Sequence, residues 1–179
     1  MNPLLRIFLD AILIGNPVVM VPVGALLATV VPQSARSSYL PGARIALAVF
    51  LTTLLGGTIA AALPAQIAPV VFVVVALGGT GVLVALGELR GRWLGLPQAL
   101  LAPGFLVGMQ LLMTTHEDVS SIVAGAAGSA SGLFVMFVII GAIRESSRIS
   151  ESSNTFKTNP VILFSLAVFA VAFTGFLFW

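Results

Sequence analysis

Six stretches of mostly apolar residues, roughly 3–31, 45–63, 69–87, 97–115, 121–143 and 160–178, take up most of this 179-residue chain. A helix needs about 20 such residues to cross a bilayer, and each stretch is near that length. Breaker-rich linkers separate them: "PQSARSSYLPGAR", "LPAQIAP", "GELRGRWLGLP", "THED" and "RESSRISESSNTFKTNP". Only 8% of the residues are charged and 59% are hydrophobic, with a mean hydropathy of +1.14. Soluble domains carry about a quarter charged residues, so this chain cannot cover a water-facing surface. The reading is an integral membrane protein. Runs such as "VVFVVVAL" are then helical, because lipid does not tolerate an open sheet edge. The N-terminal segment outruns the apolar core of a secretory signal and lacks its small-residue cleavage site, so the first helix is expected to be retained.

Charge placement gives the expected orientation. Arg36, Arg44, Arg90, Arg92, Arg144, Arg148 and Lys157 fall in the first, third and fifth linkers. The second and fourth carry no Lys or Arg, and the fourth holds Glu117 and Asp118. By the positive-inside rule the odd loops are cytoplasmic and both termini lie outside, in an inner or cytoplasmic membrane. The net charge of +2 comes from those loop residues, so it carries no suggestion of nucleic acid.

Three segments precede the Arg90 loop and three follow it, giving halves of roughly 1–88 and 94–179 within one membrane domain, residues 1–179. An odd number per half means that a duplicated unit is inserted upside down. The first helix of each half is interrupted, by Gly15, Asn16 and Pro17 in one and by Ala102, Pro103 and Gly104 in the other. Proline removes a backbone donor and disfavours helix in the residue before it. Paired interruptions at matching places point to an inverted-repeat site at the bilayer midplane. The predicted fold is therefore an all-α membrane protein: six transmembrane helices as an inverted 3+3 repeat, with the first and fourth broken. Taken singly, each interruption reads as an ordinary proline kink; it is the pair in register that points to a site.

The segments "ILIGNPVVMVPVG", "GAIRESSRI" and "FKTNPVILFSLAVFAVAFTGFLF" resemble the six-helix Rnf/Nqr membrane subunits, in particular the A-type subunit of Rnf and the E-type subunit of Nqr. The resemblance runs through segment order, loop lengths and orientation, and is most specific from Arg144 onwards. It implies an inverted three-plus-three fold paired with a sister subunit of opposite topology. It also implies a mid-membrane [2Fe–2S] cluster held by cysteines at the helix breaks, relaying electrons in step with Na⁺ or H⁺ movement. The corresponding positions here lie near Leu26 and Gly104, and the chain has no cysteine. No [2Fe–2S] cluster or other cofactor is expected in this chain. Met20, Met109 and Met113 read as packing residues, and His116, the only histidine, lies at a helix end. The six-helix MarC-like proteins share the short loops and Pro/Gly breaks and are a competing resemblance.

Asp10 is the only acidic residue within a predicted helix, which makes it a candidate for ion handling. Arg6, four residues earlier on the same face, makes an i,i+4 pair near the interface the better account. Adjacent His116, Glu117 and Asp118 cannot converge on one ion, so they read as an acidic loop with Asp118 or Ser120 as N-cap. Glu88 with Arg90 and Arg92, and Glu145 with Arg144 and Arg148, read as solvated or headgroup-facing charge. Gly125, Gly128, Ser129 and Gly132 form a small-residue face suited to close helix packing, with a partner subunit as one option. Tyr39, Trp93 and Trp179 fall at predicted interfaces.

There is no nucleophile–base pair, carboxylate dyad or metal-ligand set, so independent catalysis is not expected. The functional expectation is an accessory, non-catalytic subunit of an ion-translocating, Rnf/Nqr-like redox complex, in contact with lipid and other integral membrane subunits. The alternative is a small transporter or channel with its site between the two breaks.

Overall fold

A computed structural model describes residues 2–20, 24, 35–64, 66–89, 92–93, 96–115, 118–149 and 159–175. The helices are α1 (Pro3–Leu13), α2 (Pro17–Met20), α3 (Ala35–Ala61), α4 (Ala68–Ala85), α5 (Ala102–Leu112), α6 (Val119–Ile149) and α7 (Asn159–Gly175). Turns of 3-10 helix at Gln98–Leu100 and Met113–Thr115 flank α5, and Arg92–Trp93 pairs antiparallel with Leu96–Pro97. Among the described residues, three helical stretches are long and apolar enough to cross a membrane: Ser38–Ala61, Ala68–Ala85 and Val119–Ser146. The outside of the bundle is apolar, with Val70, Val74, Leu100, Phe164 and Val171 strongly exposed.

Small residues set how the helices meet. On α3, Gly42 lies against Phe134 and Phe137 while Gly57 lies against Ile122, so α3 and α6 run antiparallel. On α6, Gly128 lies against Phe8 and Ala11 and Gly132 against Ile12 and Asn16, so α1 runs parallel to α6. Thr52 and Leu106 both meet Gly79, and Gln110 meets Gly56, which makes α5 parallel to α3 with α4 antiparallel to both. The small-residue face of α6 is therefore used inside the chain, by α1. Ile45, Val49, Phe105, Leu106, Leu133 and Phe137 belong to the shared core.

Several element boundaries depart from the sequence reading. Helix α3 starts at Ala35, inside the expected first linker, and runs through Pro41. Packing against α6, including the Tyr39–Phe134 ring pair with centroids 6.3 Å apart, outweighs the hydrogen bond that proline removes. Helix α6 continues to Ile149 and takes in Arg144, Glu145 and Arg148, good helix formers once a long helix is nucleated. The expected fourth span is an eleven-residue α-helix, about 16 Å long. It is not interrupted at Ala102–Gly104 but begins there, with Pro103 in the first turn, where a missing N–H costs nothing. In the first segment, Gly24 packs against the Pro17 carbonyl and the Phe105 ring. Seven residues of straight helix would hold Gly24 about 10 Å from Pro17, so these two residues do not belong to one straight helix.

The end of α4 is closed by a left-handed glycine. Gly87 has φ 80°, its N–H donates to the Val84 carbonyl (3.0 Å), and the Glu88 N–H donates to the Leu83 carbonyl (3.1 Å). This is a Schellman closure. It presents Glu88 to Arg44 in the third turn of α3, and the two form an ion pair with the Glu88 side chain 9% exposed. Glu88 is thus a buried clamp, not solvated charge. Gly87→Ala is expected to cost about 1 kcal/mol through the strained φ. Gly78→Ala on α4, where an added methyl meets nothing within 4 Å, should be neutral or stabilising by a few tenths of a kcal/mol. Thermal unfolding of the two variants in detergent compares them directly.

Candidate functional site

The stretch Gly15-Asn16-Pro17 ends one helix and starts the next. At the end of α1, the Ile14 and Gly15 N–H groups both donate to the Asp10 carbonyl, the latter at 2.8 Å. Pro17 is the first residue of α2, a position whose N–H would have no helical partner in any case. Asn16 joins the two. Its Oδ1 accepts from the Val18 N–H (3.0 Å), and its Nδ2 donates to the Ile12 carbonyl (2.8 Å). One side chain, 1% exposed, therefore caps a free donor of α2 and a free acceptor of α1. Gly132 makes room for it, since a β-carbon there would lie 2.8 Å from Nδ2.

The other three candidate residues do not mirror this arrangement. Ala102 is buried in the core, Pro103 is half-buried, and Gly104 is exposed with open space where a side chain would stand. No side chain caps the start of α5. Gly15 instead shares a cavity of about 260 Å³ with Ile7, Asp10, Ile14, Leu112 and Met113, so it opens towards the C-terminal end of α5. Pro103 lies at the opposite end of that helix, about 14 Å along the axis from Leu112.

Asp10 pairs with Arg6 as the spacing predicts, Nε to Oδ2 at 3.7 Å, with side chains 75% (Arg6) and 55% (Asp10) exposed. Its surroundings differ from the expectation. Contacts of Phe8, Ala11 and Ile12 with Gly128 and Gly132 set Asp10 beside the middle of the charge-free stretch of α6, not beside its end. Asp118 stands immediately before α6, and its carbonyl accepts from the Ile122 N–H (3.0 Å). Met109 and Met113 are core residues. His116, Glu117, Arg90, Lys157, Leu26 and Trp179, together with the side chains of Met20, Arg92, Trp93 and Arg148, lie outside the described residues.

Sequence reasoning passed over a buried polar layer. Gln110 is fully buried, and its Nε2 donates to the carbonyls of Phe72 (3.2 Å) and Leu106 (3.3 Å), tying α5 to α4. Its Oε1 rests on Gly56 without a hydrogen-bond donor among the described residues, and the buried hydroxyls of Thr53 and Ser129 likewise have no partner among them. Thr52, Thr58, Thr80 and Thr114 instead bond to carbonyls of their own helices. A lone glutamine in an apolar helix was the available signal for this layer. Among the described residues no group of three or more His, Asp or Glu side chains is placed to hold a metal ion. No known protein family matches this chain, and neither does any curated protein or solved structure.

Proposed function

We propose that this protein is an integral, non-catalytic subunit of a larger membrane assembly. Its six apolar segments cross an inner membrane with both termini outside, and it brings no cofactor of its own. The Rnf/Nqr-like sequence pattern suggests a redox assembly as the specific form. The observation that carries this reading is Asn16. One backbone donor and one backbone acceptor freed at the break are bound by that side chain, which supports a structural joint over a ligand site. The alternating directions of α3, α4, α5 and α6 agree with consecutive membrane crossings.

A second reading, a small transporter or channel, rests on the cavity that Asp10 and Gly15 share with the end of α5. Gentle purification from native membranes, with mass spectrometry of co-eluting chains and iron quantification, separates the two. Several stoichiometric membrane partners, with any iron traced to those chains, are the expected result. Recovery without any other chain, and free of iron, would overturn the assembly reading and favour a flux assay in liposomes.

A further inference from the structure

A groove between α3 and α6 opens outwards from the bundle. It holds about 460 Å³, and its floor is made of small residues, Ala43 and Ala46 on α3 with Ala127 and Ala130 on α6, between the rings of Phe50 and Phe134. Helix α3 continues the groove in one direction. Arg36, Ala43 and Phe50 recur at seven-residue spacing and so share one helix face. Arg36 and Tyr39 are exposed above the groove, Tyr39 with its ring beside Phe134. Among the described residues the Arg36 guanidinium has no ion pair. The uncharged run of α6 from Val119 to Ile143 is about 37 Å long. A hydrocarbon layer of about 30 Å fitted to it is centred near Ser131, on the wall of the groove. Gly42 lies against Phe134 and Phe137, so Arg36, one and a half turns before it, stands about 16 Å from that centre. This is the headgroup boundary.

We propose that this groove seats an acyl chain of an anionic phospholipid whose phosphate is held by Arg36. Charge decides the head of the occupant. An exposed guanidinium without an acidic partner, at the edge of the hydrocarbon layer, is complementary to a phosphate, whose oxygens accept two of its N–H groups at once. Tyr39 adds a hydroxyl donor one turn closer to the centre. Length decides the tail. The groove runs for about 10 Å, from Ala43 to Phe50, and a further helix crossing the bilayer would need a seam about three times as long. A lipid chain in one leaflet reaches about 15 Å inwards from its headgroup, which brings its end between the alanines. The proposal rests on insertion in a membrane alone and on neither of the two functions above.

Native mass spectrometry of the purified chain in mild detergent, with phosphatidylglycerol or phosphatidylcholine of the same acyl chains added, tests this. A retained phosphatidylglycerol is expected, held about tenfold better than phosphatidylcholine. Arg36→Gln should remove that preference, and Arg36→Lys should keep most of it. Ala43→Trp fills the groove from an exposed position and should lower retention of both lipids about tenfold. Val74→Trp, on the exposed face of α4, should leave retention unchanged. Both tryptophans stand outside the core, so folding is preserved. Inorganic phosphate at the same concentration should not displace the lipid. Equal retention of the two lipids, retention indifferent to Arg36→Gln or to Ala43→Trp, equal loss in Val74→Trp, or displacement by phosphate alone would each overturn the proposal. So would a covalent dimer on oxidation of Ala43→Cys, the only thiol in the chain, because it would put a second copy in the groove. Co-purifying subunits are a separate readout, so lipid retention can fail while the assembly reading stands.

Discussion

Gly128→Val is expected to lower the stability of the folded chain by about 3 kcal/mol, the scale of a forced overpacking. The reason lies in what faces Gly128. A β-carbon there would run into the Phe8 carbonyl and lie 2.8 Å from the Ala11 β-carbon. Neither group can swing aside, because one is backbone and the other is fixed to it. Helix α1 must therefore move away from α6, and the contact between Gly132 and Ile12 goes with it. Hydrogen exchange should rise across residues 3–13 while Ala68–Ala85 keeps its protection, since α4 does not rest on this contact. Gly104→Val serves as the control: that position is exposed and open, so a change below about 0.5 kcal/mol is expected. Equal losses from the two substitutions in a detergent thermal melt would show that the α1–α6 approach is not the critical contact. The same control addresses the first expectation for Gly104, because a residue at a closed midplane site would not accept a branched side chain freely.

What could be read from the sequence divides along physical lines. Apolar helices, the Arg6–Asp10 pairing and close packing at Gly128 and Gly132 follow from composition and from i,i+4 spacing, which are local properties. The depth of Arg6–Asp10 is not local. It depends on which turn of α6 lies beside α1, and that register comes from a tertiary fit of two glycines to Phe8 and Ile12. The burial of Glu88 was hidden for a similar reason. Next to Arg90 and Arg92 it reads as loop charge, yet its partner is Arg44, which only the antiparallel run of α3 and α4 brings near. Pro103 illustrates a different ambiguity, because a proline that interrupts a helix and one that begins it look alike until the preceding turn is known. At Pro17 the sequence did hold the answer. Glycine, then an N-capping asparagine, then proline is the chemistry of a helix stop followed at once by a start. Nothing comparable precedes Pro103, where Leu101 has no side chain able to cap.

Asn16→Leu should be the second costly change, at about 2–4 kcal/mol, because it leaves the Val18 N–H and the Ile12 carbonyl buried and unpaired while keeping the side-chain volume. Asn16→Ser retains an N-cap oxygen for Val18 but cannot reach the Ile12 carbonyl, so it should recover about 1 kcal/mol of that loss. Gly132 supplies the decisive comparison. A methyl group there would displace Nδ2 from the Ile12 carbonyl, so Gly132→Ala destabilises partly by breaking the bond that Asn16→Leu has already removed. The double variant should therefore be less damaged than the sum of the two single losses, with a coupling of about 1 kcal/mol in a double-mutant cycle by thermal or denaturant unfolding. Simple additivity would mean that Gly132 does not act through Asn16, and the account of the break as a self-capped joint would lose its support.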